Sequence, residues 1–410
     1  MPQARARRLR EPRSLNFRTR QTAFLALQLA LVLAAPASAK PDKPPQPAAE
    51  AWVLIDAGDG ERLAARRPTE QRSIASATKL MTAYLALKQK NLDKKVSAPA
   101  YEALAAESLL GLEAGERISY RELLYALILA SANDGAVTVA EGVSGSIDRF
   151  IQRMNAAAAR LGLDDTSYAN PIGLDDSLNY SSAADLAELT TILLDDPFFR
   201  KVADTESHTV ETDRASRPIV TRNDLLGRAP YVSGVKTGFT GEAGNVLVGS
   251  GERKGVRLVA VVLGAPSESA RDDGVFALLE YGFSLYKAET PVRARQQFAA
   301  PPVDSGGTVE LLARTPVTVS ARKDQDVETE VDAPADLSGP IRKGERLGRV
   351  SVSVDDEAAG SSPLIAARAV AAPSVADEVR NNAPSLALIA GIVFAVLVIV
   401  LIFQRGRRSR

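Results

Sequence analysis

The chain has 410 residues, 50 basic and 50 acidic side chains, a single histidine and no cysteine. The absence of cysteine excludes disulfide bonds, a lipid-modified cysteine anchor and thiol chemistry, and one histidine without cysteine disfavours a zinc site. Seven basic residues and one acidic residue lie within residues 1–39, so the remainder holds 43 basic and 49 acidic groups. This acidic balance disfavours nucleic-acid binding.

The N-terminal segment has the order of a secretory signal peptide. Arginine-rich residues precede an apolar core from Ala23 to Ala35 and the sequence Ala37-Ser-Ala39, which predicts a signal peptide over residues 1–39. The pair Arg7-Arg8 leaves both the general secretory and the twin-arginine export routes open. Residues 40–50 are rich in proline and alanine and are interpreted as a linker.

The first chemical signal is Ser76-Ala-Thr-Lys79, which follows a strand-like run at Ala51-Trp-Val-Leu-Ile55. The string opens a helical pattern whose inward positions are Leu80, Met81, Tyr84 and Leu85. Lys79 then lies one turn along the same helix face as Ser76, within reach of its hydroxyl. At a helix N-terminus, backbone N–H groups and the helix dipole would also stabilise an oxyanion beside Ser76. These residues predict a nucleophilic serine with a lysine base.

The single histidine, His208, lies in a polar stretch away from any serine with nucleophile context, so a Ser-His-Asp relay has almost no support. A lone S-x-x-K string is a weak signal, and the chain contains a second one at Ser284-Leu-Tyr-Lys287. Ser284 ends an apolar segment, where a plain surface serine explains it better. A lone S-x-N string is equally weak, because the chain has this spacing both at Ser131-Ala-Asn133 and at Ser177-Leu-Asn179.

The second string, Ser131-Ala-Asn133, follows an apolar helix predicted over residues 123–130. Ser119-Tyr-Arg-Glu122 predicts a capping box at the start of this helix. The helix would deliver Ser131 and Asn133 to a loop. The alternative interpretation treats Ser131-Ala-Asn-Asp134 as an ordinary cap and turn cluster.

The third string, Lys236-Thr-Gly238, is the only K-T-G in the chain. It ends a strand-like stretch at residues 231–235. Residues 245–250 and 257–263 follow as an antiparallel hairpin in a sheet buried on one or both faces. A lysine at a strand edge is most often a solvated guard against aggregation. Next to a threonine hydroxyl and a glycine that lets a ligand approach the backbone, it can also bind a carboxylate.

The C-terminal part predicts a second domain and a membrane anchor. Residues 288–372 alternate short apolar runs with glycine and proline turns, which predicts a small all-β domain, and residues 373–385 are interpreted as a linker. Residues 386–403 are uncharged and apolar, long enough for a bilayer core that needs roughly 20 residues. Arginines within residues 404–410 predict a cytoplasmic tail, and the catalytic part would lie outside the cell membrane.

The ordered set of three strings resembles the penicillin-binding protein and serine β-lactamase superfamily. Its flanking residues resemble the low-molecular-weight D-alanyl-D-alanine carboxypeptidases. The matching segments include Thr78-Lys-Leu-Met-Thr82, Asn170-Pro-Ile-Gly-Leu174, Tyr180-Ser-Ser182 and Thr221-Arg-Asn-Asp-Leu-Leu226. The resemblance implies an α/β (α+β) catalytic domain over residues 51–287, in which helices flank an antiparallel sheet. Residues 339–348 are similar to the small β domain that follows in this family.

The resemblance implies a serine enzyme that removes the terminal D-alanine from peptidoglycan stem peptides through an acyl-enzyme and is inhibited by β-lactams. Ser76 would be the nucleophile. Lys79 would be the base, kept neutral by burial and by the charge of Lys236. Ser131 would pass the proton to the leaving amine, and Asn133 would hold the substrate amide and the Lys79 side chain.

The same resemblance implies the substrate contacts. Lys236, Thr237 and Arg271 would bind the terminal carboxylate, with Gly238 beside them. The backbone N–H groups of Ser76 and Phe239 would form the oxyanion hole. Some relatives have histidine at the position of Phe239. No cofactor and no metal is expected.

Two other functions share parts of this pattern. A serine β-lactamase uses the same acylation groups, but its common form needs a glutamate-held water, often written E-x-x-L-N, and this chain lacks that string. A non-catalytic wall-binding scaffold could keep the fold. The complete set of key side chains argues against a scaffold.

Overall fold

The computed structural model describes residues 43–104, 106–372, 389 and 391–399. The predicted signal peptide, the linker at residues 373–385 and the arginine-rich tail lie outside these residues, as does part of the predicted membrane span. Among the residues described, no helix is both long and apolar enough to cross a bilayer.

The larger region, residues 43–285, contains both strands and helices. Its strands are β1 (Ala51–Asp56), β2 (Arg62–Arg66), β3 (Arg72–Ser73), β4 (Lys95–Ser97), β5 (Arg117–Ser119), β6 (Tyr180–Ser181), β7 (Ser207–Glu211), β8 (Ser216–Val220), β9 (Val232–Thr240), β10 (Gly244–Arg253) and β11 (Val256–Ala265). Its helices are α1 (Lys79–Leu87), α2 (Tyr120–Tyr125), α3 (Asn133–Ser144), α4 (Ile147–Arg160), α5 (Ala183–Leu194), α6 (Pro197–Ala203) and α7 (Glu268–Leu285). A 3₁₀ turn, Ala75–Thr78, leads into α1, and a π-helical turn, Ala126–Ala130, follows α2.

One antiparallel sheet in the order β2-β1-β11-β10-β9 separates two apolar cores. Because side chains alternate along a strand, Val53 and Ile55 of β1 pack into the core that contains α1, while Trp52 and Leu54 pack into the core beneath α7. The predicted hairpin is present as β10 and β11, and the sheet is buried on both faces. This arrangement confirms the antiparallel sheet flanked by helices.

The segment before β1 packs against this sheet, where the sequence predicted a linker. Pro47 and Ala49 are buried, and the Glu50 N–H donates to the Leu263 carbonyl at 3.0 Å. Proline and alanine composition indicated a linker, but Glu50 extends the pairing of β1 with the central strand β11, and Pro47 lies beside Gly274 of the helix Glu268–Leu285.

The predicted capping box forms only in half. The Ser119 hydroxyl accepts a hydrogen bond from the Glu122 N–H at 3.2 Å, as a helix N-cap does. The Glu122 carboxylate turns away and lies 2.8 Å from His208 Nε2. The helix begins at Tyr120, directly after the predicted Ser119 cap, and so includes three residues ahead of the apolar run at residues 123–130.

The second region, residues 286–372, consists of strands, turns and loops without a helix. Its strands are β12 (Tyr286–Val292), β13 (Gln297–Ala299), β14 (Leu311–Ala313), β15 (Val317–Arg322), β16 (Val327–Asp332), β17 (Arg346–Val354) and β18 (Glu357–Ala366). They form a pair, β12-β15, and a sheet in the order β13-β14-β18-β17-β16 around a separate aliphatic core. The predicted small all-β domain is confirmed.

A buried charge network joins the two regions. Arg322 of β15 donates to Asp56 at 3.1 Å and to Asp59 at 2.9 Å, and the Tyr286 hydroxyl also donates to Asp56. Arg322 and Asp56 are both buried. The β domain is therefore attached through ionic hydrogen bonds to the end of β1.

Candidate active site

Ser76 and Lys79 lie together as the spacing predicts. Ser76 is in the 3₁₀ turn and Lys79 is the first residue of α1, with 3.1 Å between Lys79 Nζ and Ser76 Oγ. Ala75, directly before the serine, has a φ of +47°, which is uncommon for a residue with a side chain. Such strain is found where the surrounding structure dictates a residue's position.

The Lys79 amine is completely buried, and burial lowers its pKa to about 7. The charges of Glu107 and Asp134 oppose this shift, and the charge of Arg222 adds to it. Burial is the largest cause of the shift. Lys236, the cation predicted from the sequence to lower this pKa, also repels Lys79, because the repulsion between the two buried amines is mutual.

A loop that sequence reasoning left without a role holds the lysine. Lys79 Nζ donates to the Ile172 carbonyl at 2.5 Å, and Asn170 Oδ1 accepts hydrogen bonds from Ile172, Gly173 and Leu174 N–H groups. A Cβ on Gly173 would come within 2.0 Å of the Ala75 carbonyl oxygen and 3.0 Å of Ser76 N. The loop therefore lies against both the Lys79 amine and the backbone that carries Ser76.

Strand β9 brings the K-T-G string against the same turn. Lys236 is 1% exposed, and its Nζ donates to the Thr237 carbonyl at 2.7 Å, so it is not the solvated edge lysine of the alternative interpretation. A Cβ on Gly238 would lie 3.0 Å from Ser76 N, which explains the glycine. Phe239 is exposed.

Lys236 shares its environment with Lys79. Burial lowers the pKa of Lys236, and repulsion from Lys79, Arg222 and Arg271 lowers it further. Two buried amines that repel each other titrate as a pair. A bound carboxylate would favour the charged form of Lys236.

Arg271, the proposed carboxylate ligand on α7, is 3% exposed and donates from Nε to Asp272 at 2.8 Å. Its charge acts on Lys236, so the two cations lie within electrostatic range. The guanidinium NH₂ groups form no hydrogen bond with other described residues.

Ser131 follows the π-helical turn and has a φ of +59°. π-helical turns often mark functional sites. The Ser131 hydroxyl is buried and has no hydrogen-bond partner in the described part of the chain. A buried, unpaired hydroxyl costs free energy, and a substrate group or Lys79 could supply the partner.

Asn133 makes a different contact from the expected one. Its Nδ2 donates to Glu107 Oε2 at 2.6 Å, and no hydrogen bond joins it to Lys79 among the described residues. The carboxylate is a stronger acceptor for an amide N–H than a neighbouring amine. Sequence reasoning missed Glu107 because no motif includes it.

The S-x-x-K string at Ser284–Lys287, the S-x-N string at Ser177–Asn179 and the histidine have structural roles; we call these two strings the decoy strings. The Ser284 hydroxyl donates to the Tyr281 carbonyl within α7, as a serine inside a helix often does. His208 stacks on Tyr125, with 3.8 Å between ring centroids. Asn179 of the second decoy is buried and donates to the Thr78 hydroxyl at 3.1 Å, so it supports the turn that carries Ser76.

A family model described as D-alanyl-D-alanine carboxypeptidase matches residues 38–267. The chain belongs to this family. A second model, the penicillin-binding protein 5 C-terminal domain, matches residues 286–372. The resemblance inferred from the three strings is thereby confirmed, as is the assignment to the serine-type carboxypeptidases.

Individual members of the D-alanyl-D-alanine carboxypeptidase family support this placement. The carboxypeptidase DacF of Bacillus subtilis is 34% identical over 329 residues, covering 78% of this chain and 85% of the relative. DacC of Escherichia coli is 31% identical over 335 residues, covering 77% and 83%. The crystal structure of penicillin-binding protein 5 from Haemophilus influenzae has 30% identity and a TM-score of 0.57, covering 80% of this chain and 99% of that chain.

Proposed function

We propose that this chain is a D-alanyl-D-alanine carboxypeptidase that removes the terminal D-alanine from peptidoglycan stem peptides through an acyl-enzyme on Ser76. The observation that carries the proposal is the buried Lys79 amine, 3.1 Å from Ser76 Oγ, with a pKa of about 7. An amine with this pKa is deprotonated in a substantial fraction of molecules near neutral pH and can accept the serine proton.

In the acylation step, the Ser76 oxygen bonds to the penultimate carbonyl carbon while its proton moves to Lys79 Nζ. The hydrogen bond from Lys79 to the Ile172 carbonyl leaves the amine lone pair for the serine. The carbonyl oxygen becomes an oxyanion, which the N–H groups of Ser76 and Phe239 would stabilise. Ser131 would relay the proton to the leaving nitrogen, so that D-alanine departs as the C–N bond breaks.

In the second step, water attacks the ester carbon and returns the proton to Ser76, which releases the shortened peptide. Lys79 would again accept the proton, now from water. β-Lactams acylate the same serine because their ring amide mimics the D-Ala-D-Ala end.

Substrate binding would use the cationic side of the site. Lys236 and Thr237 on β9 would bind the terminal carboxylate, and Arg271 would add a second positive charge. Gly238 lets the substrate backbone lie along the strand. Asn133, whose Nδ2 is engaged by Glu107, would offer its Oδ1 to a substrate N–H.

An activity assay separates this function from its alternatives. We expect release of D-alanine from a D-Ala-D-Ala peptide and slow turnover of a chromogenic cephalosporin. Fast cephalosporin turnover without D-alanine release would indicate a β-lactamase. Absence of both activities, and of covalent labelling by penicillin, would indicate a scaffold.

Intact mass tests the nucleophile. Penicillin should add the mass of one drug molecule to the wild-type chain and none to Ser76→Ala. Ser284→Ala, from the decoy string, should be labelled as the wild type is. Labelling of Ser76→Ala would reject the assignment of Ser76.

We also propose that the chain is exported by its N-terminal signal and anchored by residues 386–403. Within that segment, residues 391–399 are helical, and the large apolar side chains from Ile392 to Ile399 are exposed. Exposed apolar side chains on a helix favour burial in lipid. Cutting the chain after Ala372 should release an active, soluble enzyme; retention of the shortened protein on carbonate-washed membranes would place the anchor elsewhere.

A further inference from the structure

Glu107 lies in the loop between β4 and β5 and is surrounded by hydrogen-bond donors. Its Oε2 accepts from Asn133 Nδ2 at 2.6 Å and from the Tyr101 hydroxyl, and its Oε1 accepts from the Leu104 N–H at 2.9 Å. Burial raises the pKa of Glu107, but the hydrogen bonds from Tyr101, Asn133 and Leu104 outweigh burial and lower it. The side chain is therefore a carboxylate near neutral pH.

The loop that carries Glu107 is built onto the second catalytic string. Both carboxylate oxygens of Asp134 accept from loop backbone, at 2.8–2.9 Å from the N–H groups of Leu110, Gly111 and Leu112. The Asn133 N–H donates to the Ser108 carbonyl at 2.8 Å. These bonds place Glu107 next to the Asn133 side chain.

A carboxylate can only accept hydrogen bonds, so it determines which end of the Asn133 amide faces it. The Nδ2 group must point to Glu107. The Oδ1 atom receives no hydrogen bond from the described residues, so it remains an acceptor for a substrate N–H.

Glu107 also contributes negative charge to a site rich in cations. Among the charged groups that act on Lys79, Glu107 and Asp134 favour its protonated form and Arg222 disfavours it. Lys236 also belongs to this set of interacting charges, because it and Lys79 repel each other. Of the two acids, Asp134 is saturated by loop N–H groups, whereas Glu107 bonds directly to a residue of the catalytic set.

We infer that Glu107 is a positioning residue for the reaction proposed above, which orients the Asn133 amide for the substrate and balances the positive charge around the Lys79 amine. The inference rests on the proposed function. It assigns a role to a residue outside the three motif strings.

The test measures the second-order rate of Ser76 acylation by a chromogenic penicillin as a function of pH, in the full chain. The variants are Glu107→Gln, Glu107→Asp and the control Glu102→Gln, an exposed acid of the same loop whose removal changes the net charge equally. Rates are divided by the fraction of labelled protein. The readout is the acid limb, that is, the pH range in which the rate falls as Lys79 becomes protonated. Its position does not depend on the labelled fraction, so partial misfolding cannot imitate the result.

With Glu107→Gln, Lys79 loses a neighbouring negative charge, so the acid limb should move to lower pH by about half a unit or more. Glu107→Asp keeps the charge, but its shorter side chain places the carboxylate farther from Asn133. The acid limb should therefore stay near the wild-type position, while the maximal acylation rate falls by about tenfold. Glu102→Gln should match the wild type.

A Glu107→Gln profile that matches Glu102→Gln would overturn the inference, as would a loss of folded protein with no movement of the limb. Failure of the wild-type chain to acylate at all is a different result, since it would reject the proposed function and not the role of Glu107.

Discussion

The catalytic and β regions bury their charged groups in different ways. The catalytic region buries three basic residues, Lys79, Lys236 and Arg271, around one site. The β region, residues 286–372, has an aliphatic core, and Arg322 and Ser362 are its only buried polar residues. Arg322 points out of that core to Asp56 and Asp59 of the neighbouring region.

Burying a charge costs several kcal/mol unless a partner compensates it. In the catalytic region the buried charges lie where the proposed chemistry needs a neutral amine and a cation that binds a carboxylate. In the β region the buried charge is Arg322, which lies where this region attaches to the catalytic region. Changes at the site should therefore alter rates, and changes at the junction should alter stability.

The largest effect is expected from Lys79→Arg. Arginine keeps the positive charge but cannot become a base near neutral pH, so acylation should fall by about a thousandfold or more, given the 10²–10⁴ typical of positioned bases. Stopped-flow acylation with a β-lactam measures this. Lys287→Arg, in the decoy string, and His208→Ala are the controls, and both should react at the wild-type rate. Rapid acylation by a folded Lys79→Arg chain would refute the lysine base.

A smaller loss of acylation rate is expected from Gly173→Ala. The added Cβ would collide with the Ala75 carbonyl at 2.0 Å, and the φ of +92° adds strain. Displacement of the Ser76 backbone should slow acylation by on the order of a hundredfold. Gly162→Ala is the matched control, with a φ of +72° and no atom within 4 Å of the new Cβ. It should cost about 1 kcal/mol of stability and leave the rate unchanged; equal rates in both variants would contradict the packing argument.

The wild-type rate should depend on pH with an acid limb near 7. Burial lowers the pKa of Lys79 from 10.5 to about 7, so the amine loses its proton, and becomes a base, as pH rises through that value. Acylation at pH 6 should be about a tenth of its plateau above pH 8. A rate that is constant between pH 5.5 and 8 would be inconsistent with a titrating base.

The smallest effect on rate is expected from Arg322→Met, which should change acylation less than twofold. Because it leaves Asp56 buried without its cation, it should lower the free energy of unfolding by about 3 kcal/mol. Thermal unfolding and acylation are measured together. Arg349→Met, an exposed residue of β17, should change neither quantity. A large loss of acylation in Arg322→Met would show that the junction also shapes the site.

Local pattern was sufficient for much of the fold. The strand β1 and the hairpin of β10 and β11 follow from apolar runs bounded by turn residues, and the Ser119 cap marks the start of a helix. Composition was misleading for residues 47–50, because proline and alanine are typical of linkers but also pack well against an apolar helix and the end of a strand pair. The capping box was half wrong, because His208, 86 positions from Glu122, competes for the carboxylate.

The nucleophile candidate and its lysine neighbour can be read from the chain, because a three-residue spacing on a helical turn brings Ser76 and Lys79 together. The other groups that act on these two residues are set by the packing of distant segments. The Ile172 carbonyl lies 93 positions from Lys79, and Glu107 lies 26 positions from Asn133. Such contacts depend on how loops pack across the sheet and helices, and periodicity records only neighbours within one element. For the same reason, the burial that lowers the pKa of Lys79 is a property of the assembled core.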